Sequence, residues 1–145
     1  ALRVLVDARA DVDKAHSDGS TPAWTAAYWG HEAALRVLVD ARADVDKAHS
    51  DGRTPAWTAA YWGHEAALRV LVDARADVDR AHSDGRTPAW TAAYNGHEAA
   101  LRVIVDARAD VDRADRDSDT PAIMAAQEGH EAALRVLVDA RADVD

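Results

Sequence analysis

The chain contains no cysteine and no phenylalanine, and it has only seven glycines and four prolines. Without cysteine there is no disulfide framework, no thiol nucleophile, no iron–sulfur cluster and no cysteine-ligated zinc. Positive charge is also in short supply. Against 26 Asp plus Glu stand 17 Lys plus Arg, a formal net charge of −9, whereas binding to nucleic acid runs on clustered positive charge. No apolar run approaches the roughly 18 residues of a membrane span, and no basic–apolar–small signal pattern opens the chain. Neither nucleic acid nor membrane is therefore an expected partner. With 48% apolar and 30% charged residues, the balance is that of a folded, soluble chain.

What is present is repetition. Thr-Pro-Ala begins at Thr21, Thr54, Thr87 and Thr120, always 33 residues apart, a period that marks a repeat array. The reading is four full units, 14–46, 47–79, 80–112 and 113–145, behind a partial unit 1–13 that matches 133–145 letter for letter. The first two units differ only at Ser20/Arg53. The second and third differ only at Lys47/Arg80, Trp62/Asn95 and Leu71/Ile104. Because the chain begins at Ala1, within a segment that reads as helix, flanking repeats are expected in a longer protein, or else ends that pack on other chains. Leu2, Val4 and Leu5 at one end and Leu134, Leu137 and Val138 at the other lack the polar faces that close a solenoid.

Each unit predicts two short helices and a turn. Thr21 is an N-cap with Pro22 in the first helical position, where a missing N–H costs nothing, and Gly30 ends the segment. A second helix follows from His31 to about Ala41, with Leu35, Leu38 and Val39 on one face and Arg36 and Asp40 on the other. The Asp- and Gly-rich segment 44–52 has turn chemistry and predicts a projecting, hairpin-like loop. Isolated helices shorter than about 12 residues are marginal in water, so stacking between units must supply the core.

Thr54-Pro55, Ala59-Ala60, Gly63-His64 and Ala76-Asp77-Val78, in that phase and at that period, resemble the ankyrin repeat over the whole chain. The resemblance implies an all-α fold, a solenoid of stacked antiparallel helix pairs with projecting β-turn loops. It also implies a protein partner bound along the concave face formed by loops and first helices, and an intracellular, cytoplasmic setting.

Three positions depart from the family pattern. Where the family has Leu-His after Thr-Pro, this chain has Ala-Trp at 23–24, 56–57 and 89–90. That loses a polar tie made by the family's histidine. Trp24, Trp57 and Trp90 read as buried between units, a large ring making use of a small neighbour, or else as part of the binding face. The family's Gly after the second helix is Arg9, Arg42, Arg75, Arg108 and Arg141, either a solvated residue in an ordinary conformation or a strained left-handed one. The loop's acidic residue is His16, His49 and His82, with Asp115 keeping it in the last unit. Identical positions in stacked units point in parallel rather than converging, so these imidazoles read as a solvent-facing ladder and not as a metal site. The histidines of the Gly-His motif, His31, His64, His97 and His130, read as structural.

Every polar residue recurs in several copies, so no asymmetric pocket for catalysis is expected, and neither metal nor cofactor. The sequence therefore predicts a non-catalytic interaction module. An assembly element stacking end to end, or a designed array without a natural ligand, is the alternative. Eight of the nine differences between the last two units fall in loops or first helices, which makes the second helices scaffold. By resemblance, the two residues before Gly30, Gly63 and Gly96 face the groove. They are Tyr28-Trp29, Tyr61-Trp62 and Tyr94-Asn95, aromatic types enriched at binding hot spots. Together with Arg53 and Arg86 at the loop tips, these residues are the expected partner surface.

Overall fold

The computed structural model describes residues 11–144. Among them lie eight helices and no strand: α1 Pro22–Trp29, α2 Glu32–Asp40, α3 Pro55–Trp62, α4 Glu65–Asp73, α5 Pro88–Tyr94, α6 Glu98–Asp106, α7 Pro121–Gln127 and α8 Glu131–Val144. Each first helix starts where a threonine can satisfy an orphan N–H. Thr21, Thr54 and Thr87 accept from the backbone N–H of Trp24, Trp57 and Trp90 at 3.0–3.1 Å, with proline at the helix start.

The helices form two layers. Successive first helices pack on one another, as do successive second helices, and each first helix packs on its own second helix. Alanine makes the first layer close: Ala56, Ala59 and Ala60 are fully buried, because a methyl group lets neighbouring helices approach from both sides. In the second layer Leu35, Leu38, Leu68, Leu71, Leu101 and Ile104 are buried. On the opposite face Glu32–Arg36, Glu65–Arg69 and Glu98–Arg102 form exposed i,i+4 pairs, each contributing a few tenths of a kcal/mol. The core is a continuous ribbon running through the stack.

The ends of α2, α4 and α6 decide between the two readings of their arginines. Arg42, Arg75 and Arg108 are left-handed, with φ of 64°, 66° and 62°. This allows Ala43 and Ala76 to donate to Leu38 and Leu71 O at 3.0 Å, the back-folded cap that usually recruits glycine. The side chains are exposed, so these residues are both solvated and strained. Arg141 differs: α8 continues through it, and its guanidinium reaches Asp112 at 3.3 Å. Arg9, Leu2, Val4 and Leu5 lie outside the described residues. Of the apolar stripe on α8, Leu137 is buried and Leu134 half-buried, while Val138 is 56% exposed.

The pairs are tied by contacts that repeat. His64 Nε2 donates to Tyr28 O and His97 Nε2 to Tyr61 O, at 3.1 and 3.0 Å. The His64 ring lies so close over Gly30 that a Cβ there would stand 2.7 Å from Nδ1, so this glycine is needed for the close approach as well as for its φ of 70°. The loops carry a second ladder. Asp13, Asp46 and Asp79 each accept, through Oδ1, the backbone N–H of Asp44, Asp77 and Asp110 at 2.8–2.9 Å. Their carbonyls accept from Lys47, Arg80 and Arg113.

Candidate functional site

The three tryptophans that replace the family histidine are buried, at 7%, 7% and 3% exposure for Trp24, Trp57 and Trp90. They do not simply remove a polar tie. Trp57 Nε1 donates to Arg86 O at 2.9 Å and Trp90 Nε1 to Asp119 O at 3.1 Å, so the indole itself supplies a tie to the following hairpin. Each stacks on the tyrosine four residues later, with centroids 5.3 Å apart, because residues at i and i+4 share a helix face.

The hairpin imidazoles differ from the expected solvent-facing ladder. His16 is exposed, but the side chains of His49 and His82 are only 14% and 21% exposed. Their rings lie on Trp24 and Trp57, with centroids 4.8 and 5.4 Å apart, so each covers the indole of the preceding pair. Nδ1 faces a carboxylate, Asp51 at 3.2 Å and Asp84 at 3.0 Å. In the last hairpin Asp115 takes this position, and its Oδ1 accepts the backbone N–H groups of Asp117 and Asp119. These two bonds hold together the carboxylate-rich turn of Asp115, Asp117 and Asp119.

Arg53 and Arg86 are engaged rather than free at the loop tips. Arg53 Nε donates to Asp51 Oδ2 at 2.6 Å, and its guanidinium lies 5.6 Å from the Trp24 ring. Arg86 is 3.3 Å from Asp84 and 4.4 Å over the Trp90 ring. Burial pushes the Asp51 carboxyl up. The side-chain and backbone hydrogen bonds from Arg53, with the charges of Arg53 and His49, outweigh this and hold it at about 2. At Asp84 burial again raises the carboxyl, and the Arg86 backbone N–H, His82 and the Arg86 charge bring it below the usual range.

The remaining predicted residues lie at the ends of the first helices. Trp29 is 62% exposed, Trp62 47% and Tyr94 38%, while Tyr28 and Tyr61 are half-buried. Tyr28 meets both its neighbour Trp29, centroids 4.9 Å apart, and Trp62 of the next helix, at 5.5 Å. Tyr61 meets Trp62 at 5.0 Å. Four rings thus make one strip across α1 and α3. Asn95 interrupts it, its amide donating to Tyr61 O at 3.3 Å.

Two features were not read from the sequence. The aspartate ladder between hairpins links residues 31 apart, and the only signal for it was the strict recurrence of Asp-Val-Asp. The Tyr28–Trp62 contact across helices had no local signal at all.

No helix among the described residues is long and apolar enough to cross a membrane. A comparison with curated proteins finds no match. A family model described as ankyrin repeats, in three copies, matches residues 1–82 and 74–145. Members of that family generally serve as non-catalytic protein–protein interaction modules. With that match spanning a chain whose helix pairs stack in two layers, the protein belongs to the ankyrin-repeat family.

Proposed function

We propose that this chain is a non-catalytic array of four repeats, 14–46, 47–79, 80–112 and 113–145, behind the partial repeat 1–13, and that it binds a protein partner along its first helices and hairpins. The observation that carries this is the exposure of Trp29 and Trp62, 62% and 47%, on adjacent helices and both against the Tyr28 ring. Large rings held with few rotatable bonds bury much area at little entropic cost when a partner covers them. Tyr28, Tyr61 and Tyr94 extend the surface, and Arg53, Arg86 and Asn95 border it. The arginines, engaged with Asp51 and Asp84, act as fixed edges of that surface. The family resemblance supports an intracellular setting.

The test is affinity capture with the whole array against a Trp29→Ser/Trp62→Ser double variant. Loss of a specifically captured protein, with the helical circular dichroism unchanged, is the expected result. Equal capture by both would refute the reading. A second reading, an assembly element, is favoured by exposed Ile123 and Val138, at 46% and 56%. It predicts that contacts with other chains map to α7 and α8 instead of the aromatic strip.

A further inference from the structure

The arginines on the helix faces pair with glutamates, and Arg53 and Arg86 pair with hairpin aspartates. Arg80, Arg113 and Arg116 form no ion pair with any described carboxylate. All three line one open cavity of about 570 Å³, at the junction of the hairpins that precede α5 and α7, whose walls also include Asp77, Asp79 and Ser83. The two aspartates are engaged with the main chain: Asp77 Oδ1 accepts the backbone N–H of Asp79, and Asp79 Oδ1 that of Asp110.

Two of the guanidinium groups are also held in place. Arg80 Nη1 donates to Asp46 O and Arg113 Nη1 to Asp79 O, both at 3.1 Å. A guanidinium has five N–H donors, and no other described residue accepts the remainder. Ser83 adds a hydroxyl. The equivalent Ser50 hydroxyl is tied to Asp18 O at 2.6 Å, whereas that of Ser83 bonds to no described residue.

This junction is also where the array departs from its own pattern. Lys14 and Lys47 occupy the position of Arg80 and Arg113, and Ser17, Ser50 and Ser83 occupy that of Arg116. Lysine offers a point charge, while arginine offers a planar fork that meets phosphate oxygens two at a time. We propose that the cavity binds a phosphate monoester, carried by a phosphorylated side chain of a protein partner. A carboxylate is matched by a single fork. Three forks and a hydroxyl suit a group with three terminal oxygens and nearly two negative charges. The cavity is also larger than a phosphate group needs, since a water takes about 30 Å³, and so has room for the segment that carries it. Nucleic acid would need positive charge continued beyond the cavity, against the chain's net −9. No residue of the aromatic strip lines this site, so the proposal does not depend on that surface.

The test is fluorescence anisotropy of the full chain, at about 0.15 M salt, with a labelled, blocked Gly-Gly-Ser-Gly-Gly peptide in phosphorylated and unphosphorylated forms. The expected result is saturable binding of the phosphorylated form alone. Arg116→Ser, which restores the residue of the other hairpins, weakens that binding by about tenfold with the circular dichroism unchanged. Arg116→Lys, keeping the charge without the fork, falls in between. Arg42→Ser makes the same charge change at an exposed arginine outside the cavity and leaves binding as it was. No preference for the phosphorylated peptide, or equal effects of Arg116→Ser and Arg42→Ser, overturns the proposal. So does tighter binding of a single-stranded oligonucleotide. Inorganic phosphate should compete only weakly, and competition as strong as the peptide's own would assign the site to free phosphate and overturn its protein source.

Discussion

Replacing Arg42, Arg75 and Arg108 together by glycine should make the protein more stable. Each has a left-handed backbone, φ 62–66°, a conformation that costs a residue with a Cβ about 1–2 kcal/mol. Glycine relieves this but adds freedom to the unfolded chain, which returns about 0.4–1 kcal/mol. The net gain is about 0.5–1 kcal/mol per site. The three positions share no partner and lie in different turns, so the gains should add to roughly 1.5–3 kcal/mol. Removing three positive charges from an acidic chain works the other way through long-range repulsion, so the measurement belongs at about 0.5 M salt, where that term is screened. Urea unfolding followed by circular dichroism should show a higher midpoint with an unchanged slope. Arg141→Gly is the internal control. Arg141 is helical in α8 and pairs with Asp112, so glycine there should cost about 1 kcal/mol. The same chemical change thus has opposite signs at sequence-equivalent positions. A triple variant no more stable than the parent, or Arg141→Gly stabilising like the others, would refute the strain argument.

Other perturbations separate contacts that the repeats hold in parallel. Gly63→Ala and Gly129→Ala start from nearly the same φ, 73° and 74°, but a Cβ at Gly63 would lie 2.6 Å from His97 Nδ1 while one at Gly129 meets nothing within 4 Å. Thermal melts should show Gly129→Ala losing about 1 kcal/mol for backbone strain and Gly63→Ala distinctly more, and equal losses would count against ring-over-glycine packing. Trp57→Phe should destabilise more than Trp24→Phe by about 1 kcal/mol in urea titrations, since only the first loses an indole hydrogen bond. Asp51 is held at about 2 in the fold against 3.8 when unperturbed. Its folded value is depressed, so its contribution is complete above the unfolded value and is lost as pH falls from about 4 towards 2. Unfolding midpoints of the parent and Asp51→Asn should therefore converge in that window, and a constant gap would show that the Arg53 contact has no protonation-linked effect.

Much of the fold was legible because its signals are local. Thr-Pro with a following glycine gave the first helices, and α1 and α3 span the predicted eight residues, Pro22–Trp29 and Pro55–Trp62. The Leu-rich spacing of the second helices gave their buried face. The binding surface was less legible. Neighbouring Tyr and Trp could be named, but their relative exposure depends on the next helix in the stack. Trp24 and Trp29 lie on the same helix, and one is buried while the other is 62% exposed, because only Trp24 faces the following hairpin.

The sequence by itself determined the period, the helix pairs, the threonine N-caps and the residues available for burial, since these are written in local residue pattern and backbone preference. Tertiary structure alone decided the rest. It put Arg42, Arg75 and Arg108 into the left-handed caps that give the second helices their turn, while α8 runs straight through the equivalent Arg141. It also turned His49 and His82 from loop residues into covers for indoles, and joined aromatic pairs 33 residues apart into one strip. These outcomes depend on what the next repeat places against each side chain, and that contact exists only when the units stack.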